Sequence, residues 1–342
     1  MEFTNRRLTD KIAVIPNLKY FFGPRDDDKY LLRIVKTFEH KNCATIHISE
    51  LGVFAFEFHD NGPLASIEVL ELTEGGLVPI EFIENRDRVK TLLFDRMRYI
   101  NFVAAAIFGR LSTIRNTNLT GANYCGADSI VSFARKEGKI TLSSQSNEIL
   151  NSALTHKLNT YHEKKDTNFR IDIADLSHAI DFFGDLLVRN TEFTQLDLIS
   201  TLALHYQASI LHSQQHADAC LALNVAVMES LVNEVFFSYG IVGNRGAKAF
   251  ANTPHTVQHV TDAQFSKMES WKRLEALHNG GLFDSYLKQR IDQLRKTRNK
   301  LVHGANRCTP QQSGESSTVI RDILSLLIDQ PIDLTTSWSY RF

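Results

Sequence analysis

The sequence predicts an α+β protein: a mixed, strand-bearing N-terminal domain followed by an all-helical C-terminal domain. Three observations carry this. Apolar residues alternate with period two in residues 44–48 and 64–72, and residues 53–58 are rich in aromatics, as in half-buried strands. Beyond about residue 145 the apolar spacing becomes helical in nearly every segment. The 342 residues are 43% hydrophobic, 10% aromatic and 23% charged, which excludes a disordered chain, a collagen-like chain and a small disulfide scaffold and suits two domains.

The elements follow in order. Asp60-Asn61-Gly62-Pro63 is a turn signal and predicts a hairpin joining strands 53–58 and 64–72. A helix is expected over 85–110, because Val89, Leu92, Leu93, Met97, Ile100, Val103, Ala104 and Ile107 recur at helical spacing. Residues 113–128 are polar. Two short strands, 129–134 and 140–143, flank Lys136-Glu137-Gly138-Lys139. The domain division is therefore 1–145, a polar linker 146–175, and a helical bundle 176–342. Helices are expected over 176–189, 196–212, 217–239, 265–278, 283–303 and 318–329, the last closed by Pro331. Helix 217–239 is apolar on most sides and reads as central and buried. Phe54, Phe56 and Phe58 form a stripe that reads as core.

The formal charge is -1, so the chain is not a polycation, and any nucleic-acid site must be a local patch. Cys43, Cys125, Cys220 and Cys308 are widely separated, which excludes a zinc ribbon and argues against a disulfide framework. The N-terminus lacks the apolar stretch of a signal peptide. The strongest apolar run, residues 102–108, is far short of the ~20 residues that span a bilayer. A cytoplasmic protein with no membrane partner is the expectation.

The chemistry concentrates at the end of helix 283–303. From Lys288 to Arg307 there are seven Lys or Arg and one acid, Asp292. Leu287, Ile291, Leu294, Leu301 and Val302 would seat the helix, leaving a basic face that attracts phosphate. On charge alone, a solvated helix whose terminal cations complement its dipole explains the run. His303 alters that balance, since an imidazole beside arginines suits acid–base work on a phosphodiester. Asn299 and His303 are i and i+4 and share a face. Arg298 and His303 are five apart, about 140° around an ideal helix. They converge only if the helix end unwinds or a symmetry mate completes the site.

Arg298-Asn299-Lys300-Leu301-Val302-His303-Gly304 resembles the Arg-x4–6-His signature of the HEPN-domain ribonucleases, in which the Arg is often followed by a polar residue. Val227-Met228-Glu229-Ser230-Leu231 is similar to the apolar-Glu-x-Leu pattern of that family's central helix. The resemblance covers residues 176–330. The order of domains is similar to ApeA-like anti-phage defence proteins of the abortive-infection type. The resemblance implies a metal-independent, cofactor-free RNA endonuclease, dimeric, with the motif helices of two protomers facing each other. His303 would be the general acid or base at the 2′-OH and the leaving 5′-oxygen, Arg298 would stabilise the transition state, and Asn299 would orient the histidine or a phosphate oxygen. Products would carry 2′,3′-cyclic phosphate and 5′-OH ends, and DNA would resist for want of a 2′-OH. Glu229, if buried, would support the site through Arg298 or another motif-helix cation. Arg295, Lys296, Lys300 and Arg307 would bind RNA. The N-terminal domain would be a sensor or regulator that meets a phage-derived or cellular trigger. A family subset carries a modified Tyr two residues after the His. Ala305 stands there in this chain, so that regulation is not implied.

Other readings compete. The helical domain could dimerise or bind RNA without cutting. Arg273 and His278 repeat the Arg-x4-His spacing but lack the Asn, and read as a core-facing helix end. His212 and His216 are i and i+4, with His205 and Cys220 extending the row if one helix runs through them; a metal-dependent hydrolase would use that row. His255 and His259, and Gly240, Gly243 and Gly246 around Arg245, fall in loop-like sequence with the wrong context for a metal or phosphate site.

Overall fold

The computed structural model describes residues 3–7, 9–23, 32–72, 80–117, 122–143, 152, 154–155, 157, 170–193, 195–238, 262–304 and 307–334. The architecture is α+β: an N-terminal region of antiparallel sheet and a C-terminal region of seven helices among the described residues. The chain divides into two compact units, residues 1–104 with 120–180, and residues 105–119 with 181–342. Most of the linker expected over 146–175 lies outside the described residues.

The first unit contains β1 (Phe3–Arg7), β2 (Lys11–Val14), β3 (Phe21–Phe22), β4 (Ile34–His40), β5 (Ala44–Ser49), β6 (Phe54–Phe58), β7 (Glu68–Leu72), β8 (Val131–Lys136), β9 (Lys139–Leu142) and β10 (Arg170–Ile171). Helix α1 (Ile80–Arg115) contributes its residues up to Ala104. Six strands form one sheet in the order β4-β5-β6-β2-β8-β9. Its two edges are pinned together at one end: the Ile34 amide donates to the Gly138 carbonyl at 2.8 Å and the Ile140 amide to the Leu32 carbonyl at 2.9 Å. The sheet thus curls toward a barrel. Ala13, Ile15, Val53, Ala55, Val131, Phe133 and Ile140 pack inside the curl. On the other face Phe54, Phe56 and Phe58 are buried, as their spacing predicts. Tyr99 of α1 lies edge-on to Phe56 and Phe58. Arg96, wholly buried, stacks its guanidinium 4.4 Å above the Phe58 ring.

The hairpin expected between 53–58 and 64–72 does not form. Strand β6 is paired on both sides, with β5 and β2, so it has no free edge. Strand β7 pairs with β1 instead. The turn at Asp60–Leu64 is real, but Gly62 serves a close approach: a Cβ there would lie 2.3 Å from the Asn42 carbonyl oxygen of the β4–β5 turn. The β8–β9 hairpin does form, through Glu137 (φ 52) and Gly138 (φ 73). Two consecutive positive φ angles are what a two-residue type I′ loop requires.

The second unit takes the end of α1 and the helices α2 (Ile173–Glu192, from Asp181), α3 (Leu198–Ser213), α4 (Ala217–Ser238), α5 (Asp262–Lys267), α6 (Ser270–Asn279), α7 (Ser285–Gly304) and α8 (Pro310–Ile328). Helix α1 runs five residues past its expected end. It stops in a Schellman motif, with Asn116 left-handed (φ 49) and the Thr117 amide bonded to the Ser112 carbonyl at 3.0 Å. The helix expected over 265–278 is two helices, broken at Met268-Glu269. Helix α8 starts eight residues before its expected Thr318. Thr309 caps it in a capping box with Gln312, and Pro310 occupies its first turn.

Helix α4 is long and apolar enough to cross a membrane by length and composition, but 67% of its apolar window is buried. It packs chiefly against α8 and α3. One seam of that packing is polar. The Asn224 amide donates to Ser316 Oγ at 2.8 Å and Ser317 Oγ at 3.0 Å, and its Oδ1 lies 3.0 Å from His205 Nδ1.

Candidate functional site

Helix α7 begins where the Asp284 carboxylate accepts the Leu287 amide at 2.7 Å, an N-terminal cap. Leu287, Ile291 and Leu294 are buried at i, i+4 and i+7, which seats the first half of the helix. The second half is less embedded. Leu301 is half-buried, and Val302, expected to seat the helix, is 59% exposed. It lies only about 20° around an ideal helix from buried Ile291, so it continues the seating stripe in angle but stands exposed in the last turn.

The cations of α7 divide into two sets. Arg290 is a cross-brace. Its guanidinium bonds Glu315 and Asp322 on α8; burial lowers its pKa, but those carboxylates outweigh it and push the value up. Arg295 is also engaged, its Nε 3.7 Å from Glu229 Oε1 on α4 and its Nη1 3.5 Å from Asp292. Arg295 thus supplies the motif-helix cation for Glu229, although Glu229 is half-buried rather than buried, at 33% exposure. Lys296, Lys300 and Arg307 are exposed.

The motif residues stand at the open end. Arg298 is half-buried, and its Nη1 donates to Asn299 Oδ1 at 3.2 Å. Asn299 and His303 are exposed, and His303 makes no hydrogen bond to another described residue. The helix continues through Gly304, so the end does not unwind. Arg298 and His303 therefore keep their angular separation, and one helix does not bring them together.

The second Arg/His pair has structural partners. Arg273 Nη1 donates to Asn233 Oδ1 at 2.5 Å, and burial lowers the Arg273 pKa. His278 Nδ1 lies 2.9 Å from the Phe283 carbonyl oxygen, which can only accept.

The histidine row does not assemble. Helix α3 ends at Ser213, and Gln214-Gln215 turn the chain, with Gln215 left-handed at φ 67. His212 Nδ1 lies 2.7 Å from Ser313 Oγ, whereas His216 is exposed. His205 is buried against Asn224, and burial pushes its pKa down to about 4. Cys220 is buried, its thiol pushed up to about 12 by burial. Among the described residues no three His, Cys, Asp or Glu side chains are grouped to hold a metal ion. His255, His259, Gly240, Gly243, Gly246 and Arg245 lie outside the described residues.

A polar cluster that sequence reasoning missed sits in the first unit, on the curled sheet. His47 on β5 is fully buried, between Thr37 of β4 and Glu57 of β6. The alternation of β5 puts Thr45, His47 and Ser49 in one phase, which signals a polar row. Its neighbours depend on strand register, which composition does not reveal. No protein-family model matches the chain, and neither does any curated protein or solved structure.

Proposed function

We propose that this protein is a metal-independent RNA endonuclease of the HEPN type, with the active site built from the α7 ends of two copies. The observation that carries this reading is the contrast between its two Arg-x4-His pairs. Arg273 and His278 are committed to Asn233 and the Phe283 carbonyl. Asn299 and His303 are exposed at the end of the basic helix, where a substrate can reach them.

Arg298 and His303 point about 140° apart on an unbroken helix. Pairing two copies about a two-fold axis sets the Arg298 of one protomer beside the His303 of its partner. His303 then acts as general acid or base on the ribose 2′-OH or the 5′-oxygen. Arg298 neutralises the charge that develops on phosphorus oxygens, and its bond to Asn299 sets the guanidinium plane. Lys296, Lys300 and Arg307 draw the RNA backbone, which makes binding weaken with salt. Anti-phage defence, with the first unit as the sensor, is the biological setting this reading carries.

The test is RNA cleavage in EDTA by wild type, His303→Ala and His278→Ala, with single-stranded DNA as control. The reading expects cyclic-phosphate ends from wild type and His278→Ala, and a loss of about 10²-fold or more in His303→Ala. Equal cutting by His303→Ala would remove His303 from the mechanism.

A further inference from the structure

The curled sheet places a nucleophile, a base and a carboxylate in a line. Thr37 and His47 are directly opposed in the β4–β5 register, and the Thr37 hydroxyl lies 2.9 Å from His47 Nδ1. Thr37 is exposed, while His47 is 0% exposed. On the far side of the ring, His47 Nε2 lies 3.6 Å from Glu57 Oε1. Lys11 Nζ at 3.5 Å and Arg135 Nε at 3.7 Å close around the same oxygen.

The hydrogen positions follow from what each group can do. A carboxylate only accepts, so the favourable tautomer carries its proton on Nε2, facing Glu57. Nδ1 is then left to accept from the Thr37 hydroxyl. Burial draws His47 below the ordinary imidazole value, Lys11 and Arg135 acting in the same direction and Glu57 against them. The ring is therefore a free base at neutral pH. The arrangement is poorly made for stability alone. His47 Nε2 and Glu57 Oε1 are both buried with no hydrogen-bond partner, on a face otherwise packed with Ala13, Ala55 and Val131. Such unsatisfied groups destabilise a fold, and they collect where chemistry needs them.

We propose that Thr37 is a nucleophile that accepts an acyl group from activated esters, with His47 as its general base and Glu57 as the group that positions the ring. Nucleophile and base within hydrogen-bond reach, with the base oriented by a third group, is the arrangement that activates a hydroxyl. Thr37 Oγ attacks the acyl carbon while its proton passes to His47 Nδ1. The bond from the acyl carbon to the leaving oxygen breaks, and the leaving group departs with the electron pair. The imidazolium returns its proton to that oxygen or to solvent. Thr37 is left as an O-acyl ester. Lys11 and Arg135, 44% and 50% exposed, and Glu39, two residues from Thr37 on the same face of β4, leave this rim of the sheet with both signs of charge.

The experiment uses the full chain with p-nitrophenyl acetate, following p-nitrophenolate release and the mass of the Thr37 peptide. The expected result is a burst approaching about one equivalent per chain, with an acetyl group on Thr37. Thr37→Val suits an exposed strand position and loses both signals; Thr37→Ser keeps both. His47→Gln slows the burst by about 10²-fold, and Thr191→Val, at an exposed threonine of α2, leaves it unchanged. An undiminished burst in Thr37→Val, acetyl groups only on other residues, or no burst from folded wild type overturns the proposal.

Discussion

His278 donates from Nδ1 to the Phe283 carbonyl oxygen at 2.9 Å, tying the last turn of α6 to the entry of α7. Removing it leaves that carbonyl without its donor. His278→Ala is expected to lower stability by about 1–2 kcal/mol, while His303→Ala stays within about 0.5 kcal/mol of wild type. Urea unfolding of both variants measures this. A larger loss in His303→Ala would mean that its exposed imidazole has a structural role.

Lys157 carries the clearest pH signature. Its ammonium is buried and donates to the Tyr20 carbonyl at 2.7 Å and the Leu51 carbonyl at 2.6 Å. Burial lowers its pKa from 10.5 to about 7. Between those values the unfolded chain holds a proton that the folded chain lacks, so stability rises with pH across that window and is flat below it. The difference in unfolding free energy between wild type and Lys157→Met should climb by roughly a few kcal/mol from pH 7 to pH 10. A flat difference would show that Lys157 keeps its proton in the fold.

Arg96 holds three backbone and side-chain acceptors from inside the first unit: the Leu64 carbonyl, the Thr9 carbonyl at 2.6 Å and Ser66 Oγ at 3.2 Å. Lysine cannot reproduce the planar fork. Arg96→Lys is expected to destabilise by about 2 kcal/mol and Arg96→Ala by more, through acceptors left dry and lost stacking on Phe58. Thermal unfolding reads both.

The β8–β9 loop offers an improvement. Glu137 sits at φ 52, a region where Asn is far more at ease than Glu. Glu137→Asn should raise stability by about 0.5 kcal/mol. A fall in the unfolding midpoint would mean that the Glu137 side chain contributes more than its backbone strain removes.

Helical spacing was legible from residue 176 onward because each helix buries one face. The expected bounds of α4 and α7 agree with the fold to within two residues at each end, whereas the one helix expected over 265–278 is two. Strand partners were not legible. Nothing local says that β7 joins β1, since pairing is decided by which edges remain free once β6 is flanked by β5 and β2. The start of α8 is written in the sequence, where Thr309, Pro310 and Gln312 spell a capping box ahead of the apolar run. At the site, the sequence singled out Arg298, Asn299 and His303, and its pattern also pointed to a cation for Glu229. That the cation is Arg295 follows from how α7 rotates on α4. The Thr37–His47–Glu57 line spans three strands, so only the register brings it together.

The polar seam between α4 and α8 acts as a vernier for the motif helix. Asn224 meets Ser316 and Ser317 at one axial setting only, so sliding α8 by a turn would leave those groups without their partners in an apolar contact, while His205 of α3 stays bonded to Asn224. Thr309, which starts α8, follows Gly304 by five residues, and just before it the Cys308 amide donates to Asp218 Oδ1 at 2.6 Å. The phase of α8 on α4 also sets where Glu315 and Asp322 meet Arg290 of α7. A shift of α8 at Asn224 would therefore be felt at the Arg290 brace of the motif helix.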